Sequence, residues 1–263
     1  MRTTKFLLTT LLTLSLLAPP AFAIQPLVTD DAGTEGQGGI LLEFSNELSF
    51  DRQTVDGEKL RARDNQTAVA LAYGLLDNLD LLFEAPYIYT RTKFAGETES
   101  DNGIGDLTLE VKWRFHESDL GALALKPSLT IPTGDEDKGL GSGEVSYGLA
   151  LIATKEFELV DLHLNLGYAH NRYKLAEDRL ESRRHIYSAS LAAVRELTPT
   201  LDLVADIGIE THESKDSDLH PAFGLLGLVY SVTDNIALDG GVKFGLSRPE
   251  PDYALLVGLT WSL

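Results

Sequence analysis

The chain has 263 residues, with 22 Lys plus Arg against 40 Asp plus Glu and a formal net charge of −18. That balance disfavours nucleic acid as a partner, and the absence of cysteine excludes disulfides, thiol catalysis and cysteine metal sites. A hydrophobic content of 43% and a mean hydropathy of −0.04 are too low for a helical membrane protein, but fit a sheet with one apolar and one polar face.

The N-terminus reads as a secretory signal. Arg2 and Lys5 precede a mostly apolar run from Phe6 to Leu17, and Ala21-Phe22-Ala23 is a small-x-small cleavage site. Cleavage is expected after Ala23, with residues 1–23 as signal peptide and 24–263 as one barrel domain. Within it, 24–38 is expected to be a periplasmic or mouth segment. Beyond the signal the charge is about −20, because Arg2 and Lys5 leave with no acid. No later stretch approaches the roughly 18–20 consecutive apolar residues of a membrane helix. A spanning structure must then be a closed barrel, the other way to satisfy every backbone group in lipid.

About twelve strands are predicted from period-two alternation: 40–50, 66–76, 79–91, 104–115, 120–132, 144–157, 161–171, 185–196, 200–211, 221–231, 235–247 and 252–263. The first opposes Leu42, Phe44, Leu48 and Phe50 to Glu43, Ser45, Glu47 and Ser49. The clearest run sets Leu107, Leu109, Val111, Trp113 and Phe115 on one face and Asp106, Thr108, Glu110, Lys112 and Arg114 on the other. Leu225 and Leu226 break the phase of the tenth strand. The last ends with Leu255, Val257, Leu259, Trp261 and Leu263 on one face, similar to an outer-membrane assembly signal.

Connections alternate in length. Turn-sized links at 76–78, 116–119, 158–160, 197–199 and 232–234 separate longer polar segments at 51–65, 92–103, 133–143, 172–184 and 212–220. Short periplasmic turns and long outer loops are the asymmetry of outer-membrane barrels, and an even strand count places both termini in the periplasm. Aromatic placement agrees: Trp113, Phe115, Phe157, Tyr230 and Trp261 fall at periplasmic strand ends. Phe50, Tyr87, Tyr89, Tyr147, Tyr168, Tyr187 and Tyr253 fall nearer the outer ends, as two interfacial girdles require.

The inward face then carries Asp80, Glu84, Asp106, Glu110, Lys112, Arg114, Lys126, Asp202, Asp206, Glu210, Asp239 and Lys243. These are candidate lumen-lining residues that set ion preference, and their acid excess points to cations. The same groups can instead pair across strands and fill the interior. The acidic run Asp135-Glu136-Asp137 lacks EF-hand spacing, so a solvated loop, bridged to lipopolysaccharide by divalent ions, outweighs a calcium site. Six histidines occur without HExxH or GxSxG, and His170-Asn171 is the nearest approach to a Ser-His-Asn arrangement. No catalytic residue is assigned.

Several motifs carry a family resemblance: Pro26-Leu27-Val28-Thr29-Asp30-Asp31-Ala32-Gly33-Thr34, Gly103-Ile104-Gly105-Asp106-Leu107, Ile131-Pro132-Thr133-Gly134-Asp135 with Lys138-Gly139-Leu140-Gly141-Ser142-Gly143, and Arg248-Pro249-Glu250-Pro251-Asp252-Tyr253. Together they resemble the MetA-pathway of phenol degradation family of outer-membrane β-barrel proteins. The resemblance implies a channel or transporter for aromatic or other hydrophobic compounds. Thr29-Asp30-Asp31 either folds into the barrel mouth as a plug or tethers a flexible tail, and its likeness to a family motif favours an ordered role.

The expected architecture is an all-β, antiparallel, up-and-down transmembrane barrel in the outer membrane of a Gram-negative bacterium. Its expected role is passive diffusion of small molecules, gated by loops such as 133–143, with no cofactor. Expected partners are outer-membrane lipid, lipopolysaccharide, the outer-membrane assembly machinery and a small-molecule solute. Two alternatives stand beside it: a barrel enzyme acting as a lipid hydrolase, and a soluble periplasmic barrel that binds ligand on an apolar inside. Against the latter, the polar face is crowded with small residues such as Ala68, Ala70, Ala72, Gly74, Gly148 and Gly167.

Overall fold

The computed structural model describes residues 25–55 and 57–263. The expected signal peptide, its cleavage at Ala23 and Ile24 lie outside the described residues. The chain forms β1 (Ile40–Val55), β2 (Glu58–Leu76), β3 (Leu79–Phe94), β4 (Glu97–Ile104), β5 (Leu107–Ser118), β6 (Gly121–Ile131), β7 (Ser146–Glu156), β8 (Asp161–His170), β9 (His185–Thr198), β10 (Leu201–Glu210), β11 (Ala222–Thr233), β12 (Ile236–Gly245) and β13 (Tyr253–Ser262). Consecutive strands other than β4 and β5 pair antiparallel, and β1 pairs with both β2 and β13, closing the sheet. β4 and β5 both lie against β3, over Tyr87–Phe94 and Leu79–Glu84 respectively, and act as one wall strand broken at Gly105-Asp106. The result is a closed twelve-strand barrel.

Closure abolishes free edges within the membrane, so every wall residue points either to lipid or to the lumen. The apolar set points outward: Leu71, Leu149, Leu226 and Leu255 are each more than a third exposed. The small and charged set points inward and is buried, including Ala68, Ala70, Ala72, Glu84 and Lys126. An apolar outside rules out the soluble alternative with its apolar ligand-binding interior.

Two departures from the expected elements have physical causes. The segments 51–65 and 92–103, expected as loops, are mostly strand: β1 runs to Val55, β2 begins at Glu58, and β3 and β4 form a hairpin over 94–97. Above the membrane both faces meet polar surroundings, so apolar alternation disappears although the ladder continues. Leu60 and Phe94 pack with Val55 and Ala62 on the inner side of this extension. The second departure is β11, where Leu226 is 58% exposed and Leu225 is 2% exposed. Leu225 faces the lumen and packs on Leu27 of the N-terminal segment, a contact that strand periodicity does not encode.

Positions on opposite faces of the wall supply a test of this orientation. Leu226→Arg places a cation near the middle of the lipid-facing wall and should cost about 2–4 kcal/mol of barrel stability. Ser188→Arg puts the same charge on the lumen side, opposite Glu210, and should cost well under half as much. Urea unfolding in phospholipid vesicles measures both; equal losses would contradict the assigned faces.

Candidate functional site

An extended chain inside a barrel brings backbone donors that must be satisfied there. Residues 25–39 do this by running from mid-lumen down to the rim that carries the short turns. Leu27 docks among Ala192, Val204, Leu225, Val229, Ala254 and Leu256. Pro26 lies over Gly227 and Gly241, where an added Cβ would come within 2.6 and 3.1 Å of its Cγ. The N–H groups of Val28 and Thr29 each donate to Asp206 Oδ2 at 2.8 Å, and Thr29 Oγ1 donates to Oδ1 at 2.7 Å. Further down, the Ala32 N–H donates to Thr154 Oγ1 at 2.9 Å and the Glu35 N–H to Asp80 Oδ2 at 3.1 Å. At the rim, the Gly38 N–H donates to Gly74 O at 2.8 Å, and the Gly74 N–H to Gly39 O at 2.9 Å.

The centre of this plug is Asp30, which is fully buried. Lys112 Nζ lies 2.8 Å from its Oδ1, and Lys126 Nζ lies 2.9 Å from Oδ2 and 3.3 Å from Glu110 Oε2. The Asn165 amide, oriented to satisfy both groups, donates to the Asp30 carbonyl at 2.9 Å and accepts from its N–H at 2.6 Å. Two buried ammonium groups thus face two buried carboxylates. Removing any one leaves an uncompensated charge, which is far costlier than never having buried the pair.

The twelve inward candidates divide by depth. Asp80, Glu84, Glu110, Lys112, Lys126 and Asp206 are buried, and all but Glu84 contact the plug or its ion cluster directly. Glu84 stands diagonally across from Glu110 on the inward face, since its direct partner is Thr108. Arg114 sits at the short-turn rim, donating to Asp77 O at 3.0 Å and lying 3.2 Å from Glu117. Asp202, Glu210 and Asp239 are half-buried. In the outer half, Lys243 Nζ lies 2.8 Å from Glu47 and 3.5 Å from Glu250. Glu43, Glu47, Glu250 and the Thr29–Asp30 pair are the additional groups the strand reading did not select. The alternation in β1, the Thr29-Asp30-Asp31 motif and, for Glu250, the Arg248–Tyr253 motif were the signals for them.

Asp106 is held differently. Its carboxylate accepts from the Gly134 N–H at 2.9 Å, the Ser142 N–H at 2.8 Å and Ser142 Oγ at 3.1 Å. Loop 132–145 is thereby pulled inward, and Leu140 is buried. A Cβ on Gly141 would stand 2.2 Å from Asp106 Oδ1, so this approach requires glycine. The motifs around Gly103–Asp106 and Gly134–Ser142 therefore meet at one joint. Between Leu140 above and Leu27 and Val28 below lies a cavity of about 270 Å³, lined also by Ile88, Glu84 and Lys243.

Loops 171–184 and 211–221 close over the other side. The Arg183 guanidinium donates to the carbonyls of His212 at 3.0 Å, Ser217 at 2.9 Å and also Ser214. Tyr173 OH donates to Glu213 Oε1 at 2.9 Å. Burial pushes the Glu213 carboxyl up to about 7; the Tyr173 hydrogen bond opposes this and the negative charges of Asp178 and Glu210 add to it. In the acidic run, Asp135 lies 3.3 Å from Lys138 and Glu136 pairs with Lys174. No cluster of metal-ligating side chains occurs among the described residues.

On the outer wall, Trp113, Phe115, Phe157, Tyr230 and Trp261 are exposed near the short-turn ends of their strands, and Tyr87, Tyr147 and Tyr187 nearer the long-loop ends. Tyr89 and Tyr168 are half-covered; Tyr168 OH lies 2.9 Å from His185 Nδ1. His170 stacks on Tyr147 with ring centroids 4.9 Å apart, on this lipid-facing side of the barrel.

Solved structures share the architecture. An outer membrane channel from Pseudomonas putida F1 aligns with a TM-score of 0.66 at 19% identity, over 89% of this chain and 98% of that one. The NanC porin aligns at 0.57 and 9% identity, over 84% of this chain and 100% of its own. The CymD monoaromatic hydrocarbon channel aligns at 0.51 and 8% identity, over 86% and 88%. A comparison with curated protein sequences finds no match. The family model described as "Putative MetA-pathway of phenol degradation" matches residues 29–263, from the plug threonine to the last residue, and the chain belongs to that family.

Proposed function

We propose that this protein is a passive outer-membrane channel for small molecules, exported by its signal peptide, whose N-terminal segment closes the periplasmic half of the lumen. The observation that carries this reading is the docking of residues 25–39 on inward-facing charges of the wall, centred on Asp30 with Lys112 and Lys126. A barrel built only to fill itself would pair its wall charges with each other. Here two wall lysines converge on one carboxylate of the N-terminal segment, and Lys126 also reaches Glu110 of the wall.

Small aromatic or hydrophobic compounds are the proposed cargo. The family description and the CymD neighbour, described as a monoaromatic hydrocarbon channel, support this class. So does the cavity, where Leu27, Ile88 and Leu140 offer apolar contact beside Glu84 and Lys243. The remaining wall charges Glu43, Glu47, Asp80, Asp202, Glu210 and Asp239 give the path an acid excess, which favours cationic over anionic solutes. A lipid-hydrolase role has less support: His170 faces lipid-side rings, away from the lumen carboxylates.

Asp30→Asn should weaken plug docking by about 3–5 kcal/mol, because Lys112 and Lys126 lose their shared carboxylate. The expected outcome in planar bilayers is severalfold higher mean conductance, with the barrel still folded by heat-modifiable gel mobility. In a KCl gradient the opened channel should pass K⁺ in preference to Cl⁻; a Cl⁻ preference would reject the assigned lining. Uptake of aromatic acids, hydrocarbons and sugars into liposomes, against protein-free liposomes, ranks the cargo.

The outer loops should respond to pH. The Glu213 carboxyl is raised to about 7 from an ordinary 4.5, so its contribution to the closed loops is fullest below pH 4.5 and is lost as pH rises through 7. Closed-state dwell times of single channels should therefore shorten between about pH 5 and pH 8. Glu213→Gln should flatten that dependence; an unchanged slope in the variant would assign it elsewhere.

A further inference from the structure

Strands β1 to β4 rise above the rest of the barrel on one side. The β1–β13 pairing stops at Phe50↔Tyr253, whereas β1 and β2 stay paired out to Val55↔Glu58 and β3 and β4 to Phe94↔Glu97. On the outward face, Phe50, Arg63, Arg91 and Ser100 form one row across the four strands. Arg52, Arg61, Lys93 and Thr98 form the next, and Thr54 with Lys59 the third. The six cations Arg52, Lys59, Arg61, Arg63, Arg91 and Lys93 are all exposed. Strand spacing confines them to a patch about 10 Å wide and about 14 Å high.

Three features mark this face as built for an anion. Among the described residues no ion pair reaches any of the six. The nearby acids Asp51, Asp64, Glu97, Glu99 and Asp101 alternate onto the opposite face. Like charges stand directly opposite one another: Arg61 between Arg52 and Lys93, and Arg63 beside Arg91. Such cross-strand pairs are destabilising without a counter-charge. Solubility alone is served as well by mixed signs, and the chain has 40 acids to draw on.

Depth identifies the anion. Phe50 stacks on Tyr253 at 4.9 Å, and the Arg63 guanidinium lies 5.6 Å from the Phe50 ring. Below that level the same face is the apolar wall of Phe44, Leu71 and Phe83. Between that wall and the basic rows lie two mixed rows, Asn46-Thr67-Tyr87 and Leu48-Asn65-Tyr89, so the cations begin just above the outer aromatic girdle, at the headgroup level of the outer leaflet. Guanidinium forks there match phosphate oxygens.

We infer that this face binds the phosphate groups of lipopolysaccharide, holding a lipid A headgroup against the outer wall of β1–β4. The inference rests on the outer-membrane reading, with the 55–58 and 94–97 turns outside the cell.

The test uses the full-length protein purified in mild detergent and mixed with bisphosphorylated lipid A, dephosphorylated lipid A or inorganic phosphate, with bound lipid counted by native mass spectrometry. Wild type should retain the bisphosphorylated form about tenfold or more over the dephosphorylated one, and inorganic phosphate at equal concentration should not displace it. The combined variant Arg61→Ser, Arg63→Ser, Arg91→Ser and Lys93→Ser should lose that preference, while Arg172→Ser, at a cation paired with Glu144 elsewhere, should keep it. Equal retention of both lipids by wild type, equal retention by the combined variant, or displacement by inorganic phosphate overturns the assignment. If the combined variant does not fold, the wild-type comparison and Arg61→Gln/Arg91→Gln decide the matter. Glu97→Cys, the single cysteine in the chain, separates the two layers of inference. Failure to label it on intact cells with a membrane-impermeant maleimide rejects the outer-membrane topology, whereas labelling without lipid preference rejects only this site.

Discussion

Two lysines inside a narrow barrel need an anion, and this chain brings one from its own N-terminus. Lys112 and Lys126 sit on β5 and β6 with their ammonium groups around Asp30. The rest of the interior follows from that placement. Asp206 must turn toward Val28 and Thr29 to satisfy the backbone that delivers Asp30. Gly227 and Gly241 must lack side chains where Pro26 passes, and Leu225 must be apolar where Leu27 lands. A wall whose inward face carries both small residues and isolated charges is shaped to receive a strand-like guest, not to close on itself.

The same logic explains how much was legible in the sequence. Period-two alternation located the spanning part of the wall, because lipid outside and polar groups inside impose opposite demands on neighbouring residues. Leu107, Leu109 and Val111 against Glu110 and Lys112 show the principle at full strength. Alternation fails where only one demand operates. Beyond the membrane both faces of β1–β4 meet polar surroundings, so 51–65 and 92–103 read as loops while their backbones keep pairing. It fails again at Leu225, where the inward demand is set by a segment almost two hundred residues earlier in the chain.

The site was less legible than the fold for a related reason. Inward charges can be picked out residue by residue, but their partners come from different loops and from the terminus. Asp106 looks like Asp80 or Asp202 in a strand pattern, yet it anchors Gly134 and Ser142 of an outer loop. Lys243 finds Glu47 and Glu250, one across the barrel seam and one in a loop. Short glycine-containing motifs were the better guide, because close approaches such as Gly141 against Asp106 leave no room for a side chain. Each of those motifs lies on the plug or at the joint above it.

Charge sorting by face ties the wall to its surroundings. An excess of carboxylates would repel itself if spread evenly over a small barrel. Here acids concentrate inside, where Lys112, Lys126 and Lys243 neutralise part of them, and the wall facing lipid is left nearly uncharged. Six outward cations gather on β1–β3 from the Phe50 row upward, on the face opposite the acids of the lumen. Holding them apart keeps the positive field at the membrane surface and the negative field in the lumen. A solute approaching from outside must part loop 132–145 from loop 171–184, which Lys174 joins to Ser142 and Glu136. It then reaches the cavity over Leu27 and Val28, where the plug is the last barrier.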